Sequence, residues 1–478
     1  MTVLTSTPEA IKASEAPVVA APVVKSFSTL GIAPTLLTIL NNAKFTVPTP
    51  IQEKSIPAAI EGKDIIGIAQ TGTGKTLAFG IPMIQRLAQH KGKGLIILPT
   101  RELALQVDEA LQRLGRPMGM RTAVLIGGEN IQKQLRQLKA KPHVIIATPG
   151  RLIDHMEQKT LTLTEVRVLV LDEADRMLDM GFEDQISFVV KQTSKTKQTL
   201  LFSATYPDSI LDMSAHIQQS PVEITVDETH DDGQIEQLFY RAEELQKPLA
   251  VVALLAKHQP ESTVIFCNTK YNCQVIEDWL GQQGYAALSL TGDLDQRERD
   301  QTLLRFANKS CSVLVATDVA ARGLDIKDLA AVIVYDLSPD PEVHVHRAGR
   351  TGRAGQKGLV FSLCAETELE RAKAIEAYQK LPIKWDKFNP AKLPKNTTLK
   401  PAMVTLVIDG GRKSKIRAAD ILGALTGDAG LAGSEVGKID IFDVRTYVAI
   451  KRTSANIALS RLQAGKIKGR KLRVRALG

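Results

Sequence analysis

The chain of 478 residues predicts an α/β architecture: two parallel-sheet domains in series, then a smaller α+β domain. Three observations carry this. Between about residues 64 and 363, short apolar runs alternate with helix-like segments, the order of βα units around a parallel sheet. A polar break, ETHDDGQ at 228–234, splits the runs into two series and has the composition of a flexible linker. A second break, KFNPAKLPKNTTLKP at 387–401, carries three prolines, and beyond it strand-like and helix-like segments follow as βαββαβ. The expected organisation is a tail at 1–24, domains at 25–227 and 234–390 joined by a linker at 228–233, a second linker at 391–400, and a third domain at 401–478.

The opening MTVLTSTPEAIKASEAPVVAAPVVK lacks a basic start and a continuous apolar stretch, so it reads as a mobile tail and not as a signal peptide. No run approaches the ~18 apolar residues of a membrane helix. Cys267, Cys273, Cys311 and Cys364 show no CxxC spacing, which favours reduced, incidental thiols in the cytoplasm over a metal site. The net charge of +9 is unevenly placed. Residues 395–478 hold 17 Lys and Arg against 6 Asp and Glu, a net of +11, which leaves −2 for everything before them. The basicity therefore belongs to the C-terminal domain and points to a polyanion partner there.

In the first series DIIGIA leads into QTGTGKT, LIIL into PTREL, HVIIA into TPGR, VLVL into DEAD and TLLF into SAT. In the second, TVIF ends in CNTK, ALSL in TGD, VLVA in TDVAARGLD and VIVY in DLSPD. Ligands of open α/β sheets sit beyond the carboxyl ends of the strands. Ordinary turns would scatter Gly, Asn and Asp there, whereas Lys, Arg, Thr and acid pairs recur at all nine of these ends.

The segment AQTGTGKT at 69–76 fits a phosphate-binding loop, with Ala69 where the first Gly is usual. Gly72, Thr73 and Gly74 let backbone N–H groups close around phosphate oxygens at a helix start. Lys75 is placed to neutralise the β- and γ-phosphates of ATP, and the Thr76 hydroxyl to bind Mg²⁺. The run RVLVLDEADRMLDMGF then delivers three acids in four residues to the end of a buried strand. Asp172 has the position of the second Mg²⁺ partner, through water, and Glu173 is free to orient and deprotonate the attacking water. Helix capping by Asp175 is compatible with that reading, but capping alone requires neither Glu173 nor the earlier GKT.

DEAD, with PTREL, TPGR, SAT and HRAGRTGR in order, resembles the DEAD-box ATP-dependent RNA helicases over about residues 27–365. The resemblance implies two RecA-like domains that use ATP and RNA together. It further implies that Phe45 stacks on adenine, Gln52 reads its edge and Phe27 supports that pocket, in the segment KFTVPTPIQ, where Lys44 stands at a position that is usually Gly. Gly323 and Asp325 of ARGLD are implied to contact the ribose, and Arg350 and Arg353 to reach the γ-phosphate as arginine fingers, a role that suits a planar guanidinium. His344 replaces a tyrosine often found two residues before His346. Ser203, Thr205, Asp175 and His346 are carried as residues that couple ATP state to RNA handling.

RNA contacts are expected at Pro99, Thr100, Arg101, Gly127, Gly128, Thr148, Gly150 and Arg151, where small residues and exposed N–H groups follow strands. The resemblance adds Asn268, Thr269, Gly292, Gln296, Arg299 and Thr317, a grip on backbone without base reading, and local opening of short duplexes. A non-hydrolysing RNA clamp is the alternative, disfavoured by the intact Glu173 and both arginines. A DNA translocase is disfavoured by the Gln52 segment and the DEAD tetrad.

The C-terminal βαββαβ order is the plan of an RNA-recognition motif (RRM). Tyr447 is its one obvious stacking ring, so the basic residues are expected to contribute more: Arg412, Lys413, Lys415 and Arg417, then Lys466, Lys468, Arg470, Lys471, Arg473 and Arg475. IDGGRKSKIRAADILGALTGD with GKIKGRKLRVR is similar to the DbpA-like branch of the helicases. That similarity implies a tail anchored to a hairpin of 23S ribosomal RNA, a core that remodels nearby helices during large-subunit assembly in pre-50S particles, and a monomeric enzyme. A nonspecific basic grip with the same fold is the simpler alternative.

Overall fold

A computed structural model describes residues 26–70, 72–226, 235–321, 329–352, 357–387, 400–428 and 430–477. The expected tail, the linker at 228–233 and the linker at 391–400 apart from Lys400 lie outside these residues, as do Gly323, Asp325 and Arg353. The chain divides into two compact units, 1–227 and 228–478.

The first unit is built on a parallel sheet of β1 (Ile65–Ile68), β2 (Lys93–Ile97), β3 (Thr122–Leu125), β4 (Val144–Ala147), β5 (Val166–Asp172), β6 (Gln198–Ser203) and β7 (Val222–Thr225), in the order β3-β4-β2-β5-β6-β1-β7. Helices cover both faces, so central strands are apolar on both sides, which explains uninterrupted runs such as Val168–Leu171. Alternate residues enter opposite layers. Val168 and Val170 join Phe79, Ile96, Leu200 and Phe202, while Leu169 and Leu171 join Leu95, Ile145 and Leu201. Register sets the site: Ile68 pairs with Ser203 and Asp172 with Phe202, so the phosphate loop, SAT and DEAD leave one edge of the sheet side by side.

The second unit repeats the plan with β8 (Ile235–Arg241), β9 (Thr263–Cys267), β10 (Ala287–Leu290), β11 (Val313–Thr317), β12 (Ala331–Val334), β13 (Gly358–Cys364) and β14 (Trp385–Asp386), ordered β10-β11-β9-β12-β13-β8-β14 and all parallel. All four cysteines are buried and none is in a disulfide. The sequence reading singled out nine strands of these two sheets and missed the others. β7 buries only Ile224 at the sheet edge, and β14 is two residues long, so neither has the length or apolarity of a central strand.

The same unit carries the C-terminal sheet of β15 (Met403–Ile408), β16 (Val436–Ile441), β17 (Thr446–Lys451) and β18 (Val474–Leu477), antiparallel in the order β16-β17-β15-β18. With the helices Ala418–Gly423 and Ala455–Ala464 this is the βαββαβ order read from the sequence. The helices cover the face of Leu406, Ile408, Val448 and Ile450. The opposite face packs on the second parallel-sheet domain. Leu304 of the helix Gln296–Ala307 clusters with Val407, Tyr447 and Leu477. Buried Thr405 takes a hydrogen bond from Asn308 Nδ2 at 3.4 Å and shares one with Ser310 Oγ at 2.7 Å, and Met403 N–H donates to the Lys309 carbonyl at 3.2 Å.

Candidate functional site

The phosphate loop joins β1 to the helix Lys75–Gln89, whose N-cap Gly74 is left-handed at φ 91°. A side chain there would be strained, and its Cβ would lie 2.3 Å from Gln52 Nε2. Gln52 is buried: its Oε1 accepts the Thr49 N–H at 3.0 Å, and its Nε2 donates to the Gly74 carbonyl at 3.0 Å. The segment carrying Gln52 and the loop at Gly74 are therefore locked together. Lys44 adopts φ 64°, the left-handed conformation that favours glycine. Phe45 is partly exposed and Phe27 is buried in the core. Thr73 Oγ1 donates to the Gln70 carbonyl at 2.8 Å, and the buried Lys75 ammonium to the Ala69 carbonyl at 2.9 Å.

Asp172 and Glu173 are both buried. Burial pushes the Asp172 carboxyl up to about 6, against the pull of the Lys75 ammonium, and Glu173 and Asp175 add to the rise. Glu173 sits at φ 55°, a left-handed turn costing a bulky residue about 1–2 kcal/mol, at the N-cap position of the helix Ala174–Asp179. Arg176, which sequence reasoning passed over, holds Glu173 Oε2 at 2.7 Å in an ion pair buried on both sides. Asp175 ties DEAD to SAT. Its Oδ2 accepts the Ala204 N–H at 3.1 Å and both the N–H and hydroxyl of Thr205 at 3.2 Å, while Oδ1 accepts the Arg176 N–H. Ser203 is buried, and its carbonyl takes the Ala69 N–H at 3.0 Å, closing the circuit to the phosphate loop. Among the described residues no cluster of three or more His, Cys, Asp or Glu side chains could hold a metal alone.

Three loops of the first unit converge beyond β2, β3 and β4. Thr100, after the buried Pro99, caps the helix Arg101–Gly115, whose Arg101 guanidinium packs against Gly128. Thr148 occupies the N-cap position of the helix Pro149–Glu157 without a side-chain bond to it, and Gly150 is open to solvent. Arg151 Nη1 reaches back to the Glu129 carbonyl at 3.2 Å. Beneath them Gln134, also unremarked in the sequence, donates to the Ile126 carbonyl beside Gly127 at 2.8 Å and meets buried His155 at 3.1 Å.

In the second unit Asn268 N–H donates to Asp336 at 2.9 Å, and its side chain donates to the Leu337 carbonyl at 3.0 Å. Thr269 caps the helix Lys270–Gln282. Gly292 is open, Gln296 donates to Asp300 at 2.7 Å, Arg299 to the Ala320 carbonyl at 2.7 Å, and Thr317 Oγ1 accepts the Ala320 N–H at 3.4 Å. Arg347 is the buried hub that sequence reasoning did not separate from its neighbours. It grips Asp318 through two nitrogens at 2.8 and 2.6 Å, the Asp336 carbonyl at 2.6 Å and Asn268 Oδ1 at 2.8 Å. His344 is buried against Phe239, ring centroids 5.5 Å apart, with neither ring nitrogen hydrogen-bonded among the described residues. Burial pushes its pKa down to about 3, and Arg347 adds to the fall. His346 lies 3.9 Å from Glu342, and the Arg350 carbonyl accepts the Leu329 N–H.

The C-terminal domain corrects one expectation. Tyr447 is only 7% exposed, enclosed by Leu304 and Val407, so it offers no open ring to a base. Arg412, Lys413 and Ser414 form a short turn, and Lys468 Nζ donates to the Lys415 carbonyl at 2.7 Å, which joins the two basic loops. Arg417, Lys466 and Arg470 are all exposed.

Residues 49–213 match the DEAD/DEAH box helicase family, 246–355 the helicase conserved C-terminal domain and 405–476 the DbpA RNA binding domain. The chain is 48% identical to the ATP-dependent RNA helicase DbpA of Escherichia coli (strain K12), over 95% of this chain and 99% of that one. It is 44% identical to the DEAD-box ATP-dependent RNA helicase CshA of Bacillus cereus (strain ATCC 10987 / NRS 248), over 73% of this chain and 67% of the relative. Among solved structures, S. cerevisiae Dbp5 bound to RNA and ADP BeF3 is similar with a TM-score of 0.69 at 32% identity, covering 76% of this chain and 96% of that one. Mss116p bound to ssRNA and AMP-PNP gives 0.68 at 27%, covering 76% and 80%. The chain belongs to the DEAD-box ATP-dependent RNA helicases, in the DbpA-like branch. It is an RNA-stimulated ATPase and RNA helicase with an RNA-binding C-terminal domain, and no helix among its described residues is long and apolar enough to cross a membrane.

Proposed function

We propose that this helicase opens short RNA duplexes next to a 23S rRNA hairpin held by its C-terminal domain, during large-subunit assembly. In this reading it acts on pre-50S particles in the cytoplasm, as a monomer. The observation that carries the reading is the basic C-terminal module, net +11 over 395–478, matching the DbpA RNA binding domain on a core that is otherwise near neutral. Anchoring raises the effective concentration of the core at nearby helices, so target choice need not reside in the core.

The residues at the phosphate loop fit ATP with Mg²⁺: two left-handed glycines, a buried ammonium and a buried carboxylate face one sheet edge. Gly72, Thr73 and Gly74 present backbone N–H groups, Lys75 exchanges the Ala69 carbonyl for phosphate oxygens, and Thr76 with Asp172 would hold the cation. A bound Mg²⁺ supplies charge neutralisation at the phosphates. Phe45 and Gln52 bind adenine, and Gly323 and Asp325 the ribose. Glu173 accepts the proton of the attacking water. Arg350 and Arg353 stabilise charge on the γ-phosphate. Asp175, Ser203, Thr205 and His346 couple this chemistry to the RNA contacts set out above.

The test is ATPase stimulation by a 23S rRNA hairpin fragment beside equal masses of poly(A) and single-stranded DNA, with and without 395–478. Stimulation by the hairpin that is lost with the tail is the expected result. Equal stimulation by any RNA, tail or no tail, removes the ribosomal assignment. Glu173→Gln should abolish turnover while ATP and RNA still bind, and retained hydrolysis would sink the base assignment.

A further inference from the structure

Closure of the C-terminal sheet against the helicase domain leaves the question of where an unpaired base can stack. Residues on the outer face alternate along the strands: Thr405 and Val407 on β15, Tyr447 on β17 and Asp440 opposite it on β16. Thr405, Val407 and Tyr447 are all buried. Phe442 continues this alternation two residues beyond Asp440, at the end of edge strand β16. There it escapes the packing. It is 45% exposed, with its ring edge-on to Tyr447, centroids 5.5 Å apart and planes at 88°.

The turn bearing this ring is pinned to a basic loop. Arg412 N–H donates to the Phe442 carbonyl at 2.8 Å and Lys413 N–H to the Asp443 carbonyl at 2.9 Å, while Phe442 N–H closes the turn on the Arg445 carbonyl. The Lys468 bond to Lys415 brings the second basic loop to the same corner. An exposed aromatic ring at the rim of an RRM sheet, held rigidly beside cations, has the chemistry that grips a looped-out nucleotide: stacking on the base, charge on the phosphates.

We propose that Phe442 is the base-stacking ring of the C-terminal RNA anchor, taking a single unpaired base while the Arg412–Lys415 turn holds its phosphates. This deepens the anchor reading and rests on it. RNA is favoured over a protein partner because the apolar surface here is one ring and Val444 within the most cationic part of the chain.

The experiment titrates a labelled 23S rRNA hairpin fragment with the full chain, Phe442→Ala, Phe442→Leu, Phe442→Trp and the chain lacking 395–478, across salt concentrations. Phe442→Ala and Phe442→Leu should both weaken binding by about 5- to 150-fold, the range of one lost stack. Leucine keeps apolar packing against Tyr447, so a loss shared with alanine belongs to the aromatic face and not to the fold. Phe442→Trp should restore affinity. The slope of log affinity against log salt should stay unchanged in the Phe442 variants, whereas Arg412→Ala should reduce it by about 1. Wild-type affinity in Phe442→Ala, with binding abolished by the truncation, overturns the ring and leaves the anchor standing. Unchanged RNA affinity with altered sedimentation also overturns it and makes this corner a protein contact. Hairpin binding indifferent to the truncation overturns the anchor reading and the ring with it.

Discussion

Replacing Asp175 by Asn should separate ATP turnover from duplex opening. The carboxylate accepts four hydrogen bonds, three from the SAT segment and one from the Arg176 N–H. An amide has a single acceptor oxygen. If that oxygen faces Ala204 and Thr205, the NH₂ group confronts the Arg176 N–H, leaving a buried donor unmatched. The three retained bonds also lose their charge assistance. The unmatched donor costs about 1–3 kcal/mol and the weakened bonds several tenths each, so about 3 kcal/mol is expected. That shifts the held and released states of SAT by roughly 100-fold. It also lowers the melting temperature of a unit this size on the order of 10 °C. The assay is strand displacement of a short RNA duplex beside phosphate release in the same reaction, with thermal unfolding alongside. Duplex opened per ATP consumed should fall well below wild type. Thr205→Val removes only the hydroxyl bond and should move the ratio the same way, with a stability loss near 1 kcal/mol. Wild-type ratios in both folded variants would refute Asp175 as the link.

Arg176→Gln removes the partner that holds Glu173 in place and should raise ATP turnover without RNA severalfold, whereas Arg176→Lys should stay near wild type; unchanged RNA-free turnover in Arg176→Gln speaks against the restraint. Lys247→Met strands Glu368 and Asp336, which the fully buried ammonium meets at 2.7 and 3.6 Å, and should destabilise the second unit by about 3–5 kcal/mol in chemical denaturation, partly recovered by adding Glu368→Gln. His344 has a folded pKa of about 3 against about 6.5 unfolded, so the stability from its neutral form is complete above pH 6.5 and drains away as pH falls towards 3. At about 1.4 kcal/mol per pH unit, wild type should lose about 2 kcal/mol between pH 6.5 and 5 that His344→Phe retains, and parallel pH profiles would rule this out.

The proposed nucleotide site could be picked out in the sequence because its parts lie within a few residues of strand ends, where local pattern and chemistry coincide. Lys75 follows its strand by seven residues and Glu173 its own by one, so burial and function are written in one segment. Arg176 and Arg347 were not, because an arginine gives no local sign that it will be buried; their partners are set by helix phase and by Asp318, 29 residues away. Gln134 and His155 are equally silent, since an amide meeting an imidazole 21 positions on leaves no periodic trace. Tyr447 misled for a related reason. Its strand was identified correctly, but Leu304, which closes over it, comes from another domain and far earlier in the chain. Within a domain the apolar pattern of burial could be read; the buried polar partners, and the apolar contact between domains, could not.

That closure bears on how such an enzyme can be retargeted. A recognition cassette is commonly thought of as an add-on that any core accepts through a pliable spacer. Here the cassette shares a seam with its core: Leu304, Asn308, Lys309 and Ser310 on one side meet Met403, Thr405, Val407 and Tyr447 on the other. A transplant that moves only the last eighty or so residues to a foreign helicase leaves apolar Tyr447 and Leu477 facing water and the cassette tumbling on its spacer. One that also moves the Gln296–Ala307 helix and its following corner carries the orientation along with the address.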